Sequence, residues 1–250
     1  MPNPRTAEAA NRYGAGMAVK SPWLVAFGVV SVVHLALNAA DATPWDSITK
    51  CFIAPLLAAW VVEQHGPRLL VVALGFCFLG DLFLELGDDL FVVGMAAFAA
   101  AHVCFIRFFI LRGALERLRA RPWILVIYVA AAIGLVVWAW SGLEAGLRPI
   151  VPVYAALLLG TASTSLATDL RAGIGGACFL VSDGIIALGE ADRIDKDATA
   201  TGLAIMGLYI VAILLLTTGI LGREKRTIAA GAGFDPTIRT DCWPRLPQQM

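Results

Sequence analysis

Residues 123–141 read WILVIYVAAAIGLVVWAWS, without one charged side chain. Bilayer hydrocarbon is about 30 Å thick, and a helix rising 1.5 Å per residue needs roughly 20 mostly apolar residues to cross it. This stretch is long enough and is apolar all round, as a membrane span must be. The same reading carried outward finds further runs at 22–40, 47–63, 69–86, 90–110, 149–168, 172–189 and 201–221. Lipid offers backbone groups no hydrogen-bond partners, so every one of these runs is predicted to be helical. The fold class that follows is all-α, a polytopic membrane helical bundle of about eight transmembrane helices.

Composition agrees with this reading. Hydrophobic residues make up 59% of the 250 residues and charged ones only 15%, against about 45–50% and roughly 25% in soluble domains. The excess apolar surface has to face something other than water. The formal net charge is zero, and no basic patch with interleaved aromatics offers itself to nucleic acid. Four of the five cysteines lie within apolar runs and none forms a CxxC pair, so they read as small core residues rather than a disulfide or zinc framework.

Charge is distributed unevenly along the chain. With the N-terminus in the cytoplasm, fifteen Lys and Arg fall in cytoplasmic segments, and only Arg148, Arg193 and Lys196 fall outside. The positive-inside rule then predicts an even number of spans with both termini cytoplasmic. The expected organisation is a cytoplasmic N-terminal segment at 1–21, an eight-helix membrane domain at 22–221 and a disordered cytoplasmic tail at 222–250, rich in Arg, Pro, Gly and Thr. The protein is expected in a membrane as a multi-pass protein, the cell membrane if its source is bacterial. An alternative reads the first run as a signal peptide cleaved near Ala40-Asp41-Ala42, but His34 and Asn38 would be odd in a discarded apolar region.

A charged side chain at mid-membrane costs about 2.5–3.5 kcal/mol on insertion scales, so each one asks for an explanation. Lys50, Asp81, Glu85 and Asp183 stand out, with His34, Asn38, His102, Ser182 and Tyr209 beside them. Counting along the spans places Asp81 about 18 Å and Asp183 about 16 Å from the cytoplasmic edge. Lys50, His34 and Asn38 fall in the outer half, His102 somewhat deeper and Tyr209 near the middle. Residues far apart in sequence therefore share one layer. Asp81 and Glu85, four apart, share a helix face, as do Gly94, Phe98 and His102. Gly175 and Gly176 would let a neighbouring backbone approach closely. Each of these has a plainer reading: a structural ion-pair network for the acids and lysine, a helix-end position for Glu85, an interhelical hydrogen bond for a lone histidine, and simple packing for Tyr209.

The ordered set Thr49-Lys50 with Pro55-Leu56-Leu57, Phe78-Leu79-Gly80-Asp81-Leu82-Phe83-Leu84, Phe91-Val92-Val93-Gly94-Met95-Ala96-Ala97-Phe98 with Ala101-His102, Gly176-Ala177-Cys178-Phe179-Leu180-Val181-Ser182-Asp183, and Tyr209 resembles the YhhN family of membrane proteins. The likeness covers roughly 22–221. It implies an eight-helix fold and lysoplasmalogenase activity, the hydrolysis of the vinyl-ether bond of a lysoplasmalogen to a fatty aldehyde and a glycerophospho-base. The family's polar positions fall on Lys50, Asp81, His102, Ser182, Asp183 and Tyr209. Two positions depart from the family: Cys51 follows Lys50 where proline is usual, and Ile213 stands where glutamine is common, removing a polar group that would line a pocket.

Vinyl ethers hydrolyse by protonation at the β-carbon, capture of the oxocarbenium ion by water and collapse of the hemiacetal. Two carboxylates in different environments can divide the roles of acid and stabilising anion. Asp81 and Asp183 are the expected catalytic pair, with Lys50, His102, Ser182, Tyr209 and Asn38 as substrate-binding residues. The expected partners are a lysophospholipid substrate and membrane lipid, with no nucleic acid, and the mechanism asks for no cofactor. Two other classes share these residues. One is an intramembrane zinc hydrolase with His34, His102, Asp81 and Asp183 as ligands. The other is a transporter or channel of small molecules or lipids, which also places ionisable groups near the midplane.

Overall fold

The computed structural model describes residues 21–229. Within them eight long helices follow the predicted runs closely: α1 Pro22–Ala39, α2 Trp45–Glu63, α3 Arg68–Glu85, α4 Phe91–Leu111, α6 Trp123–Trp140, α7 Ile150–Thr168, α8 Leu170–Glu190 and α9 Thr199–Ala229. A 3-10 turn, Asp88–Leu90, precedes α4, and a short helix, α5 Ala114–Ala120, joins α4 to α6. Seven of the long helices are apolar enough to cross a membrane. The remaining one, α3, differs by carrying Arg68, Asp81 and Glu85 within 18 residues. Its intramembrane charges, not its length, set it apart. The protein is an integral, multi-pass membrane protein.

Local sequence explains the helix ends. Ser21 caps α1 by accepting from the Leu24 amide, and Pro22 opens the helix where its missing N–H is not needed. Asp169 alone separates α7 from α8. Its carboxylate accepts from the amides of Arg171 and Ala172, so one residue ends one helix and caps the next. The two helices then run side by side because glycines let them. A Cβ on Gly173 would stand 2.6 Å from the Leu166 Cα, and one on Gly176 2.8 Å from the Ala162 Cα.

Helix pairing forms a ring in the order α1, α2, α3, α4, α7, α8, α9 and back to α1. α6 lies outside the ring against α7 and α8, and α5 rests on α7. Large apolar side chains on the outer surface, among them Val29, Val32, Ile127, Ile133 and Val137, are exposed. Buried polar residues such as His34, Asp81, His102, Thr161 and Ser182 point inward. An apolar outer surface around an apolar core that also holds these polar groups matches a hydrocarbon surround.

The expected N-terminal segment at 1–21 lies outside the described residues except for Ser21, as does the expected tail from residue 230 onward. Residues 222–229, expected in that tail, instead continue α9 as helix. Side chains hold them there. Arg223 donates to the Thr168 carbonyl at 2.7 Å, Arg226 pairs with Asp169 at 2.6 Å, and Glu224 pairs with Arg112 at 2.7 Å. The last turns of α9 are thereby tied to the α7–α8 turn and the end of α4.

Candidate active site

Inside the bundle lies a cavity of about 70 Å³ walled by residues of α2, α3, α4, α6, α7, α8 and α9. It reaches the end of the bundle that carries the start of α2 and the ends of α3 and α8. Its walls are mainly apolar, with a few polar groups converging, the usual build of a small-molecule site. Both Asp81 and Asp183 line it.

Asp81 comes from α3, one turn before its C-terminal end, and is 2% exposed. The preceding residue, Gly80, leaves room for the Phe98 ring of α4, since a Cβ there would lie 2.5 Å from that ring. Phe98 in turn meets Tyr209 of α9 edge-on at 6.0 Å and Phe179 of α8 at 6.2 Å. Phe179 and Tyr209 complete the triangle at 5.6 Å. Held among these rings, Tyr209 donates its hydroxyl proton to Asp81 Oδ2 at 2.7 Å. Asp183, on α8, accepts in the same way from the Tyr154 hydroxyl of α7. Each acid thus has a tyrosine of its own.

Lys50 also lines the cavity and pairs with Glu85 at 2.7 Å. Glu85 does sit at a helix end, and it is four residues beyond Asp81, so the lysine charge stands about one helical turn from the first acid. Lys50 is the only cation on the cavity wall among the described residues; Glu190 is a third acid there. Ser182 lines the cavity too, but its hydroxyl donates to the Ile205 carbonyl at 3.0 Å and so ties α8 to α9.

Two expected substrate-binding residues lie elsewhere. His102 is fully buried behind the wall, with its ring 4.6 Å from Phe179 and 5.8 Å from Tyr154. Its Nδ1 meets the Thr161 hydroxyl at 3.0 Å, while Nε2 has no hydrogen-bond partner among the described residues. It supports the site from behind. Asn38 packs in the α1–α9 contact, with Oδ1 3.1 Å from where a Cβ on Gly202 would be. His34 faces Asp46 and Thr49 of α2. Of the four ligands considered for zinc, only the two aspartates therefore reach the cavity. No group of three or more His, Cys, Asp or Glu converges as a metal site among the described residues. Ile213 is fully buried in the core and off the cavity wall, so the residue at that position does not set the polarity of the pocket.

Tyr154 escaped the sequence reading because it stands in an apolar run. A signal was present. Tyr154, Thr161 and Ser165 recur at spacings of seven and four, which places them on one face of α7. Thr161 and Ser165 are both fully buried, marking that face as the inner one.

The YhhN family model matches residues 45–220. Lysoplasmalogenases of Mycobacterium bovis and Mycobacterium tuberculosis are each 32% identical to this chain over 236 residues, covering 83% of it and 87% of theirs. The human lysoplasmalogenase TMEM86B is 29% identical over 205 residues, covering 80% of this chain and 86% of its own. No solved structure matches the chain. The matched stretch runs from the first residue of α2 into α9 and contains both acids, both tyrosines and Lys50, so the chain belongs to the YhhN family.

Proposed function

We propose that this protein is a membrane hydrolase that cleaves the vinyl-ether bond of lysoplasmalogen-type lysophospholipids, releasing a fatty aldehyde and a glycerophospho-base. One observation carries the reading: two carboxyl groups from separate helices, each with its own tyrosine donor, line one largely apolar cavity. The chemistry needs an acid to protonate carbon and an anion to face the oxocarbenium ion that results. The lysoplasmalogenase activity named for the mycobacterial and human relatives supports the same substrate class.

The single aliphatic tail lies along the apolar wall, and the phosphate meets Lys50 near the mouth. The positive-inside bias puts this mouth on the non-cytoplasmic face. The test is a product assay. Purified protein in detergent releases aldehyde from a lysoplasmalogen without any second compartment. A protein that moves the lipid across a vesicle but yields no aldehyde would be a transporter instead.

Leu135, the α6 residue on the cavity wall, provides a check on the tail's position. Leu135→Trp fills space that the tail would occupy. It is expected to lower kcat/KM about tenfold for a long-chain substrate, as if roughly two methylenes lost their burial. A short-chain analogue should be little affected. An equal loss for both chain lengths would place the tail elsewhere.

A further inference from the structure

The charged groups of the cavity follow one another along the bundle axis. Asp81 and Asp183 are innermost. Asp81 stops four residues, roughly 6 Å, short of Glu85, the last residue of α3. The Lys50 ammonium reaches outward to Glu85 at 2.7 Å, so it stands about one turn nearer the mouth than that acid. Asp183 stops seven residues, roughly 10 Å, short of Glu190, the last residue of α8. Glu190 therefore closes the series at the rim, on the same cavity wall as Lys50 and the two aspartates.

From the inside outward the wall presents two acids, a cation and an anion. A lysoplasmalogen with an amine headgroup presents its complement in the same order: the vinyl ether, then the phosphate anion, then the ammonium. We propose that Glu190 is a specificity-determining residue that receives the cationic amine of the headgroup. It selects ethanolamine- and choline-type lysolipids over those whose headgroup bears no cation. This rests on the vinyl-ether reading above and adds the headgroup class to it.

The loop after α8 shows how the site is kept. Asp192, Asp195 and Asp197 follow Glu190 in the chain, but of these four acids only Glu190 lines the cavity. Arg193 turns away toward α6 and donates to the Trp138 carbonyl at 3.0 Å. Lys196 pairs with Glu190 Oε1 at 3.2 Å. Gly189 lets that lysine lie against the end of α8, since a Cβ on the glycine would stand 2.9 Å from the Lys196 Cβ. The Lys196 side chain is 55% exposed, and an ion pair so open to water is weak. The lysine thus marks where an ammonium sits on Glu190, and a headgroup amine can take its place. Lys50 is suited to the phosphate beneath, because an ammonium has three donors and Glu85 engages one of them.

The full chain in detergent, given three lysoplasmalogens with one alkenyl chain and ethanolamine, choline or glycerol on the phosphate, tests the assignment. Wild-type protein is expected to favour the two amine headgroups. Glu190→Gln keeps the size of the side chain and removes its charge. It should raise KM for both amine substrates about tenfold with kcat unchanged, the loss of one contact to a charged group. The glycerol substrate should be turned over as well as before, or slightly better. Lys196→Met separates recognition from a structural role for the ion pair. It should lower KM for the amine substrates about threefold by removing a weak competitor. An equal loss for all three headgroups in Glu190→Gln, no loss for any, or a Lys196→Met variant that reproduces the loss would each overturn the proposal. Isothermal titration calorimetry with saturated alkyl-ether analogues of the same three headgroups reads the preference without turnover. Wild-type protein that releases no aldehyde from any substrate would sink the hydrolase reading, while the calorimetry would still show whether Glu190 selects the amine.

Discussion

Asp81→Asn and Asp183→Asn are each expected to cut aldehyde release roughly a thousandfold, within the range lost when a positioned general acid or base is removed. Asparagine keeps the size of the side chain and can still accept from a tyrosine hydroxyl, so the pairs Asp81–Tyr209 and Asp183–Tyr154 retain their hydrogen bonds in altered form. The proteins should therefore elute as the wild type does and bind a non-hydrolysable ether analogue with similar affinity. Losses in the two variants should not multiply in the double variant, because each removes one half of a unit that works together. Steady-state assays of the single and double variants check both points. Near-normal turnover in both single variants would remove the catalytic pair from the mechanism.

The other large effect belongs to the scaffold. Gly175 of α8 lies directly on the backbone of α9. A Cβ there would stand 2.7 Å from the Leu216 nitrogen and 2.8 Å from the Ala212 carbonyl oxygen. Backbone cannot rotate aside as a side chain can, so the helices must separate. Gly175→Val is expected to cost about 3 kcal/mol. For a chain of this size, that corresponds to a fall in the thermal midpoint of roughly 6–12 °C in detergent. The same displacement moves Asp183 on α8 relative to Tyr209 on α9, so activity should fall along with stability. Gly207→Ala on α9 is the control. Nothing lies within 4 Å of the added Cβ, and the helix should be unharmed or slightly firmer. An unshifted midpoint in Gly175→Val would show that the close α8–α9 approach is not what holds these helices.

The number of long helices, their approximate ends and the identity of the unusual polar residues were legible along the chain. Crossing a bilayer is a local requirement. Each run must satisfy its own backbone and present its own apolar surface, so hydropathy counted over about 20 residues decides it. Lys50 near the outer end of α2 and Glu85 at the end of α3 were placed by the same counting. Depth is a one-dimensional quantity, and 1.5 Å per residue is enough to read it.

Azimuth was not legible in that way. His102 and Tyr154 lie on neighbouring helices in contact with each other, yet only Tyr154 reaches the cavity. Asn38 shares the outer layer with the acids but faces the α1–α9 contact. α6, a span without one charged side chain, stands outside the ring and contributes only Leu135 to the cavity among the described residues. The final turns of α9 stay helical because Arg223, Glu224 and Arg226 find partners more than fifty residues away in sequence. The chain alone determined that this is a multi-span membrane protein with acids at one depth, since lipid tests each segment independently. Which acid meets which tyrosine, and which polar groups share a cavity, was decided only when glycines at the helix crossings and rings between them fixed how distant segments turn toward one another.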